Sequence, residues 1–473
     1  MDAKQALYHA SEMWHKLAIP TLVEYIKIPN TSSDFDPKWK ENGHMDKVVD
    51  LFMTWAKDQP IPGLVVERFD LPERTPIIFM EIPPSGEDVG TVLLYGHLDK
   101  QPEMTGWREG LGPWQPVLEG DRLYGRGGAD DGYAMFASLI AVRLLLEQGL
   151  PHSRIVIIIE ASEESGSPDL PAHVEAIKDR IGDVELVICL DSGCGDYERL
   201  WQTTSLLGVC TGDLTVKVLT EGVHSGDAGG IVPDSALLAF SQIMRVCRST
   251  GLIHHQEFYV DIPADRRRQA KETGEILGNA VYDKFPWVPG CHPSSRLVPE
   301  ELILRRTWCP TLTHIGVDGF PSTLAEAGNV MRPYTTLRLS VRTPPTLDAK
   351  KALGILQQVL GKTLPEETEA QITFTPGHAA NGWNAPPTVP WLEESINDAS
   401  LKFFGKPAAA MGEGGTIPFM GMLGEQFPEA WFLVTGVLGR ESNAHGPNEF
   451  LHIPTAINLT ACVAKVLTDH ASR

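Results

Sequence analysis

Apolar residues recur at helical spacing from about Lys4 to Ile26 and again from about Met45 to Asp58, which predicts two helices at the start of the chain. Strand-like runs follow at Val65–Phe69 and Ile77–Ile82. The run Val92–Tyr95 is continuously apolar and breaks into Gly96-His97-Leu98-Asp99, the pattern of a strand buried on both faces. Tyr133–Gln148 is helical with Gly149 just past its end. Ile155–Ile159 and Leu186–Leu190 are two more buried strands. Strands alternating with helices predict an α/β fold whose mostly parallel sheet is covered by helices on both faces.

Near Gly212 the texture changes. Asp213–Leu219 alternates polar and apolar residues, as a half-exposed strand does, and Pro233–Cys247 is helical. An irregular stretch rich in Pro, Arg and Trp, about 255–310, precedes strands near Leu312–Ile315 and Thr335–Val341. A helix near Leu347–Leu360 and a strand at Gln371–Thr375 complete a β-α-β-β-α-β order, the ferredoxin-like plan. The chain then returns to its first texture, with a helix at Val389–Phe404, a strand at Ala430–Val434 and a closing helix Ile453–His470 that carries Pro454 in its first turn. The expected organisation is a catalytic domain from 1–211 and 385–473, interrupted by an inserted α+β lid or dimerisation domain over 212–384. There is no internal repeat.

A formal net charge of −21 argues against nucleic acid and anionic membrane as partners. The cysteines, Cys189, Cys194, Cys210, Cys247, Cys291, Cys309 and Cys462, form no Cys-x-x-Cys pair, and an odd, scattered set suits a reducing compartment. The N-terminus lacks a basic segment followed by a continuous apolar core, and no apolar run is long enough to span a bilayer. The expected location is the cytoplasm.

Candidate chemistry gathers where the apolar strands stop. Val92–Tyr95 leads to His97 and Asp99, Ile155–Ile159 leads to Glu160 and then Glu163-Glu164, and Leu186–Leu190 leads to Asp191. Residues two apart on a strand point the same way, so His97 and Asp99 share one side. A turn before the helix at Tyr133 adds Asp130-Asp131. Taken singly, each acid reads equally well as a helix cap or a loop charge, and the His97–Asp99 pair as a hydrogen-bonded strand end. If the strands are neighbours in one parallel sheet, however, the acids crowd one edge, where open α/β sheets place their sites. Divalent cations would resolve the repulsion, with imidazoles as neutral donors in a mixed nitrogen and oxygen set. Paired metals about 3.5–4 Å apart are a standard device for hydrolysis.

Four ordered motifs, Tyr95-Gly-His-Leu-Asp99, Leu123-Tyr-Gly-Arg-Gly-Gly-Ala-Asp-Asp131, Glu163-Glu164 and Ala444-His-Gly-Pro-Asn-Glu449, resemble those of the di-zinc metallopeptidases. That family includes aminoacylase, the glutamate carboxypeptidases, succinyl-diaminopimelate desuccinylase and the carnosine and cytosolic non-specific dipeptidases. The spacing and the long insertion before Leu312 are most similar to the dipeptidase branch. The resemblance implies two divalent metal ions per subunit, zinc first and manganese or cobalt served by the same donors. It implies His97 and Asp191 on one metal, Glu164 and His445 on the other, and Asp130 bridging both ahead of a cis peptide to Asp131. Asp99 is expected to orient His97, and Glu163 to act as general base on a water held between the metals. His224, Asn329, Arg342, His378 and Thr416 are expected to contact substrate, His224 by reaching across a homodimer interface. The implied activity is hydrolysis of dipeptides or short peptides. The alternatives are deacylation of N-acyl amino acids and a non-catalytic homologue serving as a binding subunit. Two departures stand out: Gly132-Tyr133 replaces the Lys-Gly common in the family, and Asn329 stands where the dipeptidases often carry Thr.

Overall fold

The computed structural model describes residues 1–86, 90–293, 297–362 and 369–473. Its central sheet has six strands, in the order Val65–Phe69, Ile77–Ile82, Arg154–Glu160, Thr91–His97, Val184–Cys189 and Trp431–Val434. The last four run parallel, while the first two join antiparallel at one edge. Strand Thr91–His97 sits between Arg154–Glu160 and Val184–Cys189, so the carboxyl ends of all three lie side by side. The strand is buried at every position because both faces are covered. Val92 and Leu94 join the apolar cluster that holds the helices Ala3–Met13, Tyr133–Glu147 and Ile453–Ala471, while Leu93 and Tyr95 join the cluster on the other face.

A second sheet of four antiparallel strands runs in the order Thr311–Asp318, Tyr334–Thr343, Gly208–Lys217, Gln371–Ala380. With helices Ser235–Met244 and Ala349–Leu360 on one face, it is the ferredoxin-like arrangement expected from element order. Asp234 and Asp348 cap those two helices by accepting backbone N–H groups of their first turns. Alternate residues of Gly208–Lys217 enter the apolar cluster, so the opposite face is left polar, with Arg338 paired to Asp213 at 2.8 Å.

Two differences from the expected elements matter. The stretch 255–310 is not irregular: it contains the helices Ala264–Leu277, Ala280–Asp283 and Pro299–Thr307. Helix Ala264–Leu277 carries few apolar residues and is strongly charged, so periodicity does not reveal it. The strands Trp201–Leu206 and Ala409–Glu413 also went unread, and they pair in parallel. Gly412 and Glu413 end the second of these strands.

Gly96 shows how closely the layers approach beside the site. A β-carbon there would lie 2.5 Å from the Ala134 β-carbon and 2.7 Å from Asp131 Oδ2. Gly96→Ala is expected to destabilise the fold by about 1–3 kcal/mol through overpacking, read as a lower urea midpoint at unchanged slope. An unchanged midpoint would show that the helix and strand have room to separate.

Candidate metal centre

Three strand ends and two loops converge on one cleft. Asp130 lies between two histidines, its Oδ1 3.2 Å from His97 Nε2 and its Oδ2 3.1 Å from His445 Nε2. Asp191 Oδ1 is 3.7 Å from His97 Nε2, and Glu164 Oε2 is 3.3 Å from His445 Nε2. The donor atoms thus form two triads, His97–Asp130–Asp191 and Asp130–Glu164–His445, each within 4.8 Å internally. Glu163 Oε2 stands 4.0 Å from His97 Nε2, at the junction of the two. The peptide joining Asp130 to Asp131 is cis.

Asp99 organises this arrangement from behind. Its Oδ1 lies 3.4 Å from His97 Nδ1, and its two oxygens accept the backbone N–H groups of Glu163 and Glu164 at 3.1 and 3.0 Å. This buried carboxylate thus lies against the histidine, whose Nδ1 hydrogen-bonds the Asp99 backbone carbonyl at 3.2 Å, and fixes the short helical turn Glu163–Ser165. The same turn is held by Ser32 Oγ against Ser165 Oγ at 2.6 Å and by Ser167 Oγ donating to Glu160 at 2.8 Å. Glu160 also accepts from the Tyr95 hydroxyl at 2.5 Å.

The electrostatics are those of an anionic cleft with too few cations. Burial, followed by its carboxylate neighbours, raises the pKa of Glu163 and of Asp191 well above the usual range. Burial lifts Glu164 to about 7, and Asp130 adds to this. Burial alone would depress His97, but Asp191, Asp130 and Asp99 outweigh it and carry the imidazole well above 6.5. The cleft likewise disfavours charge on His445, yet Glu164 and Asp130 bring it up to about 10. Asp130, flanked by both imidazoles, is the exception: their hydrogen bonds overcome its burial and its pKa falls. Asp191 Oδ2 is buried with no hydrogen-bond partner. An orphaned carboxylate oxygen among mixed nitrogen and oxygen donors fits a divalent cation of the zinc type.

The expected substrate contacts divide into two sets. Arg342 Nη1 donates to Thr416 Oγ1 at 2.9 Å, and Thr416 in turn donates to the Leu207 carbonyl. The Arg342 guanidinium is largely buried, which lowers its pKa, and no carboxylate pairs with it among the described residues. His378 lies within 3.5 Å of a β-carbon built on Gly166, beside the Glu163–Glu164 turn, and lines a cavity of about 360 Å³ with Ser167 and Phe419. His224 and Asn329 are not brought to the cleft. They lie together on a two-stranded ribbon, where Ser225 N–H donates to the Asn329 carbonyl, and both are exposed.

These two triads and their supports now bear comparison with known proteins. The sequence profile of peptidase family M20/M25/M40 matches residues 93–469. The chain belongs to this family. Its four motifs thus identify an M20/M25/M40 peptidase from sequence alone. This peptidase is 25% identical over 419 residues to a cysteinylglycine-S-conjugate dipeptidase of Corynebacterium striatum, covering 84% of this chain and 85% of that one. It is 23% identical to a probable di- and tripeptidase of Saccharomyces cerevisiae, covering 79% of this chain but only 41% of that longer protein. Its fold is similar to the solved structure of the dipeptidase Dug1p of Saccharomyces cerevisiae, with a TM-score of 0.79, 20% identity, and coverage of 100% and 99% of the two chains.

Contacts that motif spacing did not reveal complete the site of this peptidase. Gln101 Nε2 donates to Glu164 Oε2 at 2.6 Å, and Arg126 meets Glu449 from the opposite end of the sequence. Arg126 and Glu449 were visible only as polar residues inside the motifs, and Gln101 lies just outside them. The Gly132-Tyr133 departure has a steric reason: a β-carbon on Gly132 would lie 2.3 Å from Tyr25 Cε1, so no side chain fits there. Tyr133 is buried and its hydroxyl donates to the Leu190 carbonyl, one residue before Asp191.

Without metal, the native state holds protons that the unfolded chain releases. Glu164 keeps its proton to about pH 7 against an ordinary value of 4.5, and His445 keeps its proton to about 10 against 6.5. Native protons in excess mean that stability falls as pH rises. The metal-free protein is expected to melt at a lower temperature at about pH 8 than at about pH 5.5, and added divalent cation to restore more stability at the higher pH. A metal-free melting temperature that is level or rises across that interval would contradict this electrostatic picture.

Proposed function

We propose that this chain is a metal-dependent dipeptidase in which two divalent cations, zinc first, are held by His97 with Asp191 and by Glu164 with His445, and shared by Asp130. One observation carries the reading: the two oxygens of Asp130 face different histidines, at 3.2 and 3.1 Å. A carboxylate so placed would hold two cations at once. When bound, such a pair polarises a scissile carbonyl and lets a water ionise near neutral pH.

The chain's own residues supply the rest. Asp99 orients His97 and holds the Glu163 turn in place. Glu163 takes a proton onto its carboxylate from the attacking water and returns it to the nitrogen of the leaving amine. Arg342, a half-buried guanidinium with no carboxylate partner among the described residues, suits the terminal carboxylate of a short peptide, with Thr416 beside it and His378 as a further contact. Such an end-group contact favours dipeptides over long chains. The cysteinylglycine-conjugate and di- and tripeptide substrates in the relatives' names support the same class.

A homodimer is part of the proposal, with 212–384 as the lid and dimerisation domain. Leu237, Phe240 and Met244 form an exposed stripe on helix Ser235–Met244, beside the edge strand Thr311–Asp318 with exposed Ile315 and Val317. An open sheet edge next to an apolar stripe favours pairing with a second copy. His224 and Asn329 lie outside the cleft of their own chain, which suits contacts made to the partner's substrate, His224 toward the oxyanion. The cysteines are all free, which favours a reducing compartment such as the cytoplasm. Among the described residues no helix is long and apolar enough to cross a membrane.

Glu163→Gln is expected to lower kcat by roughly 10²–10⁴-fold with metal content unchanged, measured on a dipeptide panel beside acetyl- and succinyl-amino acids. Turnover near that of the native protein would remove Glu163 from the role of base, and activity confined to acylated amino acids would replace dipeptidase with deacylase. Introducing charge with Leu237→Glu and Ile315→Glu is expected to give a monomer by sedimentation, with turnover reduced to that of His224→Ala. A fully active monomer would refute the shared site.

A further inference from the structure

Arg126 and Glu449 are 323 positions apart and meet at 2.6 Å, with side chains 1% and 0% exposed. Each also grips a backbone that carries a metal-ligand candidate. Arg126 Nη2 donates to the His445 carbonyl at 3.1 Å. Glu449 Oε1 accepts the Gly127 N–H at 2.9 Å, and its carbonyl accepts the Gly125 N–H at 3.0 Å. Gly127 lies three residues before Asp130. The pair therefore clamps the segment that delivers Asp130 to the segment that delivers His445.

His445 needs such a clamp. Its side chain is 56% exposed, so packing does not position the ring. No helix or strand supports it between Val434 and Phe450. Its backbone is left-handed, with φ of 64°, as it is at Asn443 and Asn448. A chain without regular structure, in an uncommon backbone conformation, keeps its place only through fixed polar anchors. Among the described residues, the side chain that reaches the His445 backbone is Arg126, whose planar guanidinium fork can hold a carboxylate and a carbonyl at once.

We infer that Arg126 and Glu449 are positioning residues that set His445 relative to Asp130, and so determine the affinity of the second metal group, Asp130–Glu164–His445, more than that of the first, which shares Asp130 but not His445. The inference rests on the two-cation reading above. Neither residue touches substrate; both act through His445 and Asp130.

The test is titration of metal-free protein with zinc and with cobalt, the latter followed by its visible absorption, alongside thermal unfolding. Removing both charges in Arg126→Met/Glu449→Gln leaves no lone buried ion, and such replacements are commonly tolerated by a fold. This double variant is expected to bind one ion with little change and the second roughly 10–100-fold more weakly, with kcat reduced and KM little changed. Arg126→Lys keeps the charge but not the fork, and is expected to fall between the two. His445→Ala should show the same weakened second ion, and combining it with the double variant should weaken that ion no further. Two native affinities in the double variant or in Arg126→Lys, or equal weakening of both ions, would overturn the inference. If the double variant does not fold, the ion affinities of Arg126→Lys decide. Native protein that binds fewer than two ions would instead sink the two-cation reading.

Discussion

Several buried carboxylates and two imidazoles share one cleft, and that imbalance of charge constrains everything around it. Carboxylates at this density neither ionise together nor stay apart unless positive charge is brought to them or protons are kept. The second solution matches the direction of the pKa shifts, with burial and neighbouring carboxylates raising Glu163, Glu164 and Asp191 and the surrounding acids raising both histidines. The first is available in the geometry, because Asp130 faces both triads at once. Replacing protons with cations converts the same cleft from a self-neutralised cluster into a hydrolytic centre. The fold makes this possible by ending three neighbouring parallel strands at one edge, where their side chains cannot avoid each other.

Placement depends on a small number of polar hubs rather than on packing. Asp99 joins the first histidine to the turn of the proposed base, so His97 and Glu163 cannot move independently. Arg126 and Glu449 do the equivalent for Asp130 and His445. Each hub is a buried polar side chain that ties together segments far apart in the sequence. Removing one partner leaves a charge uncompensated at low dielectric, which is costly, so the hubs also link site geometry to stability.

The buried strands were legible because both faces of the central sheet are covered, which leaves unbroken apolar runs at Val92–Tyr95 and Ile155–Ile159. The acids after them were legible for the same reason: a charge directly following such a run marks a strand end. His445 was not readable on physical grounds, since its loop has neither periodicity nor an apolar run leading to it, and only its motif singled it out. The Arg126–Glu449 contact lay beyond any local pattern, because a pairing across 323 positions leaves no trace in spacing. Helix Ala264–Leu277 was hidden by composition: its apolar residues are too few to mark a buried face, and what it buries includes Arg266.

That hidden helix bears on how the two sheets are joined. Arg266 Nε donates to Asn384 Oδ1 at 2.9 Å and its Nη2 to the Ala385 carbonyl at 2.7 Å, while Gln269 accepts from Thr204 at 2.9 Å. These partners lie on the two strands, Trp201–Leu206 and Trp383–Asn384, through which the chain enters and leaves the four-stranded sheet. Arg306, on the neighbouring helix, pairs with Glu413 at 3.2 Å, three residues before Thr416. The helical insertion thus fixes both crossing strands and the approach to Thr416, and Thr416 in turn holds Arg342. The Arg342 guanidinium, carried by one sheet, is thereby tied through Thr416 to the strands that join it to the other, so its placement is built into the connection rather than into either sheet alone.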